Sequence, residues 1–501
     1  MTIRDHIREF NRDQDGAVLV FFAGALAVLL GLIALSFDFG RRASTQSELQ
    51  SYADHVALAA AGELDGGTDA ITRATAAAAN LISDSQSFGR TSAETYGNAS
   101  HTLAGASNYT LTFFKTLPSS DTASMNAGVT TKPKEAAFVR VVVTPKIVDN
   151  TFAAAFYAMI GGQEPANAVT ATAVAGFTQY ACDITPLMFC LPDPSYKADA
   201  HIGDMILLRS GGNGAAWGPG DFGFLDPSYA KVDPNGPCAG KSGAQLDACL
   251  LGAMGSITQC FSQRGVDTAP GQKVGIEDSS FNVRFDMYHA IMNGKKNDPA
   301  YAPAPNVIKG VADKNGNACT GSNPDASPNT KPLPKDNCFY TSTCLNGRFG
   351  DGDWSAKRAE YVQYNHGGVD PHPAAKTRYQ YYLDEITAAG GSASATKIVT
   401  GLSVDGQPHR ETGRPQCSNN QAIDPDRRLI IAAAVDCAAN PINGQANNVP
   451  VEEFVKIFLT QPVGTDGASP PTLDIYGEVV GSASGPAGGG GLFHEVVQLY
   501  R

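Results

Sequence analysis

Three groups of residues in this 501-residue chain have types and spacings that invite a chemical reading. Asp313-Lys314-Asn315-Gly316-Asn317 sets oxygen donors at the first, third and fifth positions of a helix–loop–helix calcium loop. Position six is then Ala318, where the sharp turn needs Gly, and position twelve is Pro324, where a bidentate Glu belongs. The stretch reads as a polar turn, and Asp351-Gly352-Asp353 as a turn leading into a helix cap. His366 and His372 flank Asp370 in NHGGVDPHP, a donor set that suits a transition metal, but the spacing matches no ligand pattern and its Gly and Pro make a loop. The ten cysteines include no C-x-x-C, which removes a thioredoxin-like redox pair and the usual structural zinc spacings. A nucleophile elbow G-x-S-x-G, an H-E-x-x-H helix and a phosphate-cradling G-x-x-x-x-G-K-[ST] loop are all missing from the sequence. No catalytic, cofactor-binding or metal-ligating residue is assigned; no enzymatic activity, cofactor or small-molecule substrate is expected.

What remains of the cysteine chemistry is structural. All ten lie after residue 181, from Cys182 to Cys437, and an even count confined to one region suits disulfides in an oxidising compartment. Spacing alone leaves the connectivity open. The single pair expected first is Cys417 with Cys437, whose loop of roughly 20 residues would contribute about 3 kcal/mol in the chain-entropy account. Cys319 is expected to tether the Pro- and Asn-rich excursion 299–335 through Cys338 or Cys344.

Elements must hold these groups, and the first is a membrane helix. Gly16 to Phe37 is 22 residues without a charge, about 33 Å as a helix, enough to span a bilayer core. It is longer than a secretory signal core and ends in Asp38-Phe39-Gly40-Arg41-Arg42 without a small-residue cleavage site, so a retained anchor over 16–38 is expected after a cytoplasmic lead, 1–15. Arg4, Arg8 and Arg12 against Arg41 and Arg42 barely bias the orientation; the cysteines set it, placing the N-terminus in the cytoplasm and residues 43–501 outside. Ala23, Ala27 and Gly31 form a stripe of small residues on one helical face, with Ala34 beside it, that would let a second helix approach. The balance of 37 basic against 49 acidic residues, net charge −12, has the wrong sign for binding nucleic acid.

Beyond the anchor a helical stem over 39–85 is expected. Leu49, Tyr52, Ala53, Val56, Ala57 and Ala60 fall on one face, and a second helix is capped by Thr68 and runs to about Ile82 with Ile71, Ala74, Ala78, Leu81 and Ile82 inward. Period-two runs then predict strands at 109–114, 137–148 and 168–177, with a short helix at 151–160, making a small pilin-like α+β region over 86–178. Residues 179–501 read as a larger loop-rich, disulfide-braced α+β domain. Helices are predicted at 353–364 and 376–389, strands at 428–435, 454–460, 473–480 and 495–500, and a Gly/Ser-rich connector at 481–491.

The run from Asp13 to Leu64, with its Gly16 start, apolar span, Asp38-Phe39-Gly40-Arg41 exit and Gln/Ala-rich stem, resembles the N-terminal segment of TadG-like proteins of bacterial Flp (tight adherence) pilus assembly. Phe138-Val-Arg-Val-Val-Val-Thr144 and Thr170-Ala-Thr-Ala-Val-Ala-Gly176 are similar to the continuation in the TadE/TadG group, so the likeness covers about the first 180 residues. It implies a non-enzymatic, single-pass inner-membrane component whose partners are the lipid bilayer and the Flp pilus machinery. Many members carry a von Willebrand factor A-type domain, whose metal site needs D-x-S-x-S; that run does not occur here and the site is not carried over. TadE-type pseudopilins resemble prepilins with Gly at the cleavage point and Glu five residues on; here that residue is Phe21, and the N-terminus is expected to stay uncleaved. The alternatives are a pseudopilin-like minor fibre subunit and a membrane-anchored extracytoplasmic binding protein or hydrolase.

Overall fold

A computed structural model describes residues 15–500, apart from 96, 119, 121–122, 153, 155–166, 183, 212–215, 227–234, 255–259, 263–264, 270–275, 313–324, 329, 392–402, 405–406, 409–412, 466–471 and 484–492. The chain divides into two compact units, residues 1–178 with 495–501, and residues 179–494.

In the first unit the apolar run and the stem are one unbroken helix, α1 (Asp15–Ala61, 47 residues). No Pro interrupts it, and a lone Gly costs a helix only about 1 kcal/mol, so the change from lipid-type to core-type sequence does not break it. The two halves differ in what covers them. Val18 to Phe22 are exposed, and the segment is long and apolar enough to cross a membrane. Leu49, Tyr52, Ala53, Val56, Ala57 and Ala60 are fully buried, the face read from the 3.6-residue period. α2 (Ala70–Asn80) adds Ala74 and Ala78 to the same core. Its N-cap position is Asp69 rather than the expected Thr68; Asp69 makes no cap hydrogen bond and pairs instead with Arg73 one turn on, at 3.2 Å. The helix ends at Asn80, which leaves Leu81 exposed.

The antiparallel strands β1 (Tyr109–Phe114), β2 (Phe138–Val143) and β3 (Thr172–Cys182) follow, with Tyr109 opposite Val143 and Val141 opposite Ala173. Val139, Val141, Val143, Ala173 and Ala175 alternate onto the face that shares a core with α1. Small residues on both sides, Ala53 and Ala57 on the helix and Ala173 and Ala175 on the sheet, belong to this one core. Most of the helix expected at 151–160 lies outside the described residues.

The second unit is built on β4 (Leu187–Cys190), β5 (Met205–Ser210), β6 (Asp221–Leu225), α3 (Ser355–His366), α4 (Arg378–Ala388), β7 (Leu429–Val435), β8 (Glu453–Leu459) and β9 (Leu473–Ser482). Its pairings run β6–β4–β7–β8–β9–β5 and return to β6, so six strands close into a barrel and no long edge is left among them. β4 with β7 and β5 with β6 are parallel; the other four pairings are antiparallel. Alternate residues fill one core: Leu187 and Phe189, Ile206 and Leu208, Phe222 and Phe224, Ile430 and Ala432. The opposite face is covered as well, Met188, Cys190, Ala433 and Val435 belonging to a second apolar cluster and Phe458 to a third with α3 and α4. The loop-rich region therefore has a closed β core, and its connections carry the loops.

Outside the barrel, α4 is fixed by charge. Arg378 is fully buried between the carboxylates of Asp336 and Glu478, at 3.0 Å from Glu478, and donates to the carbonyls of Pro334 and Gly203 at 2.6 and 3.1 Å. Glu478 also accepts the N–H groups of Arg378 and Tyr379. Asp336 accepts those of Met205, Asp351 and Gly352. Such a group of buried charges holds because all three guanidinium nitrogens and both carboxylates are hydrogen-bonded.

The last strand, β10 (Phe493–Leu499), pairs with β3. Tyr500 donates its N–H to Val174 at 2.8 Å and meets the Phe138 ring edge-on at 5.2 Å, in space left by Gly176, where a Cβ would lie 2.4 Å from Phe138. Residues 495–501, read from the sequence as part of the second domain, thus belong to the first unit.

Candidate functional site

The apolar half of α1 ends at Phe37, and the four residues that follow do more than mark an exit. Asp38 is only 3% exposed between Phe37 and Phe39, each 62% exposed. Its Oδ2 accepts the backbone N–H of Phe152 at 3.0 Å, while the Phe37 and Phe152 rings lie 5.7 Å apart. One turn on, Arg41 is 4.0 Å from Asp38, donates through Nη1 to the carbonyl of Asp149 at 3.4 Å and to the hydroxyl of Thr151, and lies over the Phe88 ring at 5.1 Å. The exit motif is a clamp on residues 149–152.

Phe88 is held on the opposite flank by its neighbours. Ser87 donates its N–H and hydroxyl to Glu48, at 2.8 and 2.6 Å. At Gly89 a Cβ would lie 2.8 Å from Lys146, so the approach needs glycine. Arg90 grips Asp149 with two hydrogen bonds of 2.8 and 2.9 Å and trades backbone bonds with Ile147. The Arg90 guanidinium holds the Asp149 carboxyl below the ordinary carboxylate range. Phe37, Phe39, Phe88 and Phe152 are thereby gathered at one level of α1 beside Arg41 and Arg42, the amphipathic composition of a membrane–water boundary.

α1 carries both the long apolar run and this clamp, and it is the segment the comparisons recognise. Residues 16–63 match the putative Flp pilus-assembly TadE/G-like family. The match bears out the TadG-like resemblance read from the sequence. No curated protein and no solved structure matches the chain. The TadE/G-like segment ends two residues beyond α1, so it contains the apolar half of that helix, the Asp38–Arg41 clamp and the buried stem face, whereas Phe88, Asp149 and Phe152 lie outside it. These three were not singled out in the sequence; an aromatic residue beside a turn carries no signal until the fold brings it to the exit. Within the segment Ala23, Ala27 and Gly31 lie on the apolar half of α1, with Ala23 and Ala27 exposed.

The other sequence candidates are placed differently. Asp370 accepts from Arg358 Nε at 2.9 Å, from the Tyr381 hydroxyl at 3.1 Å and from the His372 N–H at 2.9 Å. His366 Nε2 meets Glu385 at 2.9 Å, and Tyr361 and Asn306 each donate to that buried carboxylate at 2.8 Å. The two imidazoles are 6.5 Å apart with the Tyr381 ring beside both. The grouping joins α3 to α4, and among the described residues no three His, Cys, Asp or Glu side chains converge as a metal site. Asp313-Lys314-Asn315-Gly316-Asn317 and Cys319 lie outside the described residues. Among the described disulfides Cys190 pairs with Cys437, Cys238 with Cys249 and Cys338 with Cys344. The expected Cys417–Cys437 pair is therefore corrected, and Cys338 and Cys344 are joined to each other rather than to Cys319. The parallel register of β4 and β7 sets Cys190 opposite Val435, two residues before Cys437, with the Cα atoms of the bonded pair 5.4 Å apart. Sheet register across 247 positions outweighed proximity in sequence.

Proposed function

We propose that this chain is a non-enzymatic, single-pass inner-membrane component of Flp pilus assembly or anchoring, with residues 1–15 in the cytoplasm and 43–501 in the periplasm. The observation that carries the reading is the coincidence of the TadE/G-like match with one rigid helix, whose apolar half is exposed and whose other half is the core of a folded unit. A partner that packs on the Ala23/Ala27/Gly31 face is coupled through α1 and the Asp38 clamp to the folded part of the first unit. The partner class is the pilus machinery, and the disulfide-braced barrel unit is the recognition surface. Photo-cross-linking from position 27 in cells tests this: capture of a pilus-machine component and loss of surface fibres on deletion are expected, and fibres assembled normally by a deletion strain contradict it.

A second reading, a minor fibre subunit, draws on the same layout, since a helix half exposed and half packed on an antiparallel sheet leaves its apolar half for bundling with other subunits. Sheared fibres that contain this chain would favour it.

A further inference from the structure

A groove of about 670 Å³ runs along α1 toward its exit, walled by Leu29, Leu32, Ile33 and Phe37 on the helix and by Phe88 from the loop beyond, with Arg41 at its end. We propose that it holds one anionic phospholipid, an acyl chain against the leucines and the phosphate at Arg41; this rests on the reading that α1 spans the bilayer. Length favours that occupant. Leu29 to Arg41 covers about 18 Å at the helical rise, against about 15 Å for the hydrocarbon of one leaflet, so an acyl chain that fills the groove brings its headgroup level with the guanidinium.

Charge and rigidity favour it too. The side-chain hydrogen bonds of Arg41 to Asp149 and Thr151 leave from Nη1, on the side of the Asp38 carboxylate 4.0 Å away, so the edge left to meet a phosphate is that of Nε and Nη2. Arg42 follows as a second cation, whereas Arg90 is committed to Asp149. The Phe88 wall does not depend on the ligand, because Ser87 is tied to Glu48 and Gly89 is packed against Lys146. Gly40 forms part of the groove floor, and a Cβ added there meets nothing within 4 Å. A side chain can therefore start from this position without its Cβ displacing a neighbour.

Native mass spectrometry of the full chain in detergent micelles, titrated with phosphatidylglycerol, phosphatidylcholine or inorganic phosphate, tests the assignment. One phosphatidylglycerol is expected to be retained about tenfold better than phosphatidylcholine, a difference of about 1.4 kcal/mol, with no competition from inorganic phosphate. Gly40→Trp, which fills the floor, is expected to lower that retention about tenfold at unchanged Tm, and Arg41→Gln to erase the headgroup preference. Equal retention of both lipids, retention unaffected by Gly40→Trp, displacement by inorganic phosphate, or a dimer that Gly40→Trp dissolves would each overturn it. Alkaline carbonate extraction separates the two failures: a chain washed from the membrane defeats the spanning helix, and a chain that stays without preferring the anionic lipid defeats only the lipid site.

Discussion

Asp38 and Phe152, 114 positions apart, are joined by a 3.0 Å hydrogen bond from a backbone N–H to a carboxylate buried at the end of an apolar helix. A charge at that depth is costly unless its oxygens are used. The folded unit supplies the donor, so the point where α1 leaves its apolar half is fixed by the domain as well as by the helix. The apolar half of α1 and the folded part of the first unit are thus joined at that point by the Asp38–Phe152 bond and the Phe37–Phe152 ring contact.

Asp38→Ala removes the acceptor and strands the Phe152 N–H. A hydrogen bond to a charged group contributes about 1.5–3 kcal/mol, so amide exchange at Phe152 should accelerate by about 10- to 100-fold, with little change in the barrel unit. Exchange at Phe152 that matches the wild-type rate would show that the bond carries no load.

Arg378→Met leaves Asp336 and Glu478 buried without their cation. The expected cost is about 3–5 kcal/mol, read as a lower denaturant midpoint with α4 released. A variant as stable as the parent would mean that apolar packing, rather than the ion group, holds that helix.

Acid should loosen the 90–147 contact. Asp149 is held below its ordinary value of 3.8, first by its hydrogen bond to Arg90 and also by the charges of Arg90 and Arg41. Its contribution is therefore complete at neutral pH and is lost as pH falls from the ordinary carboxylate value toward the lowered one. The protection factors of the Arg90 and Ile147 amides, which bond each other at 2.9 and 2.7 Å, should fall below about pH 4, once the intrinsic pH dependence of exchange is divided out. Asp149→Asn should flatten that response; protection that increases on acidification would reverse the sign.

Gly223→Ala tests the barrel wall. The Trp217 indole covers Gly223 and Gly211, and a Cβ at Gly223 would lie 2.0 Å from it. Overpacking of this kind costs about 1–3 kcal/mol, so a lower Tm and red-shifted indole emission are expected. An unchanged Tm would show that the indole moves aside freely.

The parts legible in the sequence are those in which one period describes one environment. Leu49, Tyr52, Ala53, Val56, Ala57 and Ala60 recur at helical spacing because a single stripe of α1 meets the sheet, and residues 109–114 were readable as β1 for the same kind of reason. β4, β5 and β6 were missed because strands buried on both faces, such as Leu187–Cys190, read as short apolar runs without alternation. β10 was seen as a strand, but nothing local says which sheet a terminal strand joins. At the exit the Asp38-Phe39-Gly40-Arg41 string was legible, while Phe88, Asp149 and Phe152 were not, since only the tertiary fold brings residues so far apart to one level of a helix. The cysteine pairing failed for that reason too.

Protease protection of spheroplasts carrying the full chain with a short N-terminal epitope tests the spanning helix and its orientation most directly. The expected result is digestion of the region after residue 43, with a small epitope-bearing fragment protected inside. A full-length chain that resists external protease, or that is recovered in the soluble fraction, would contradict the assignment.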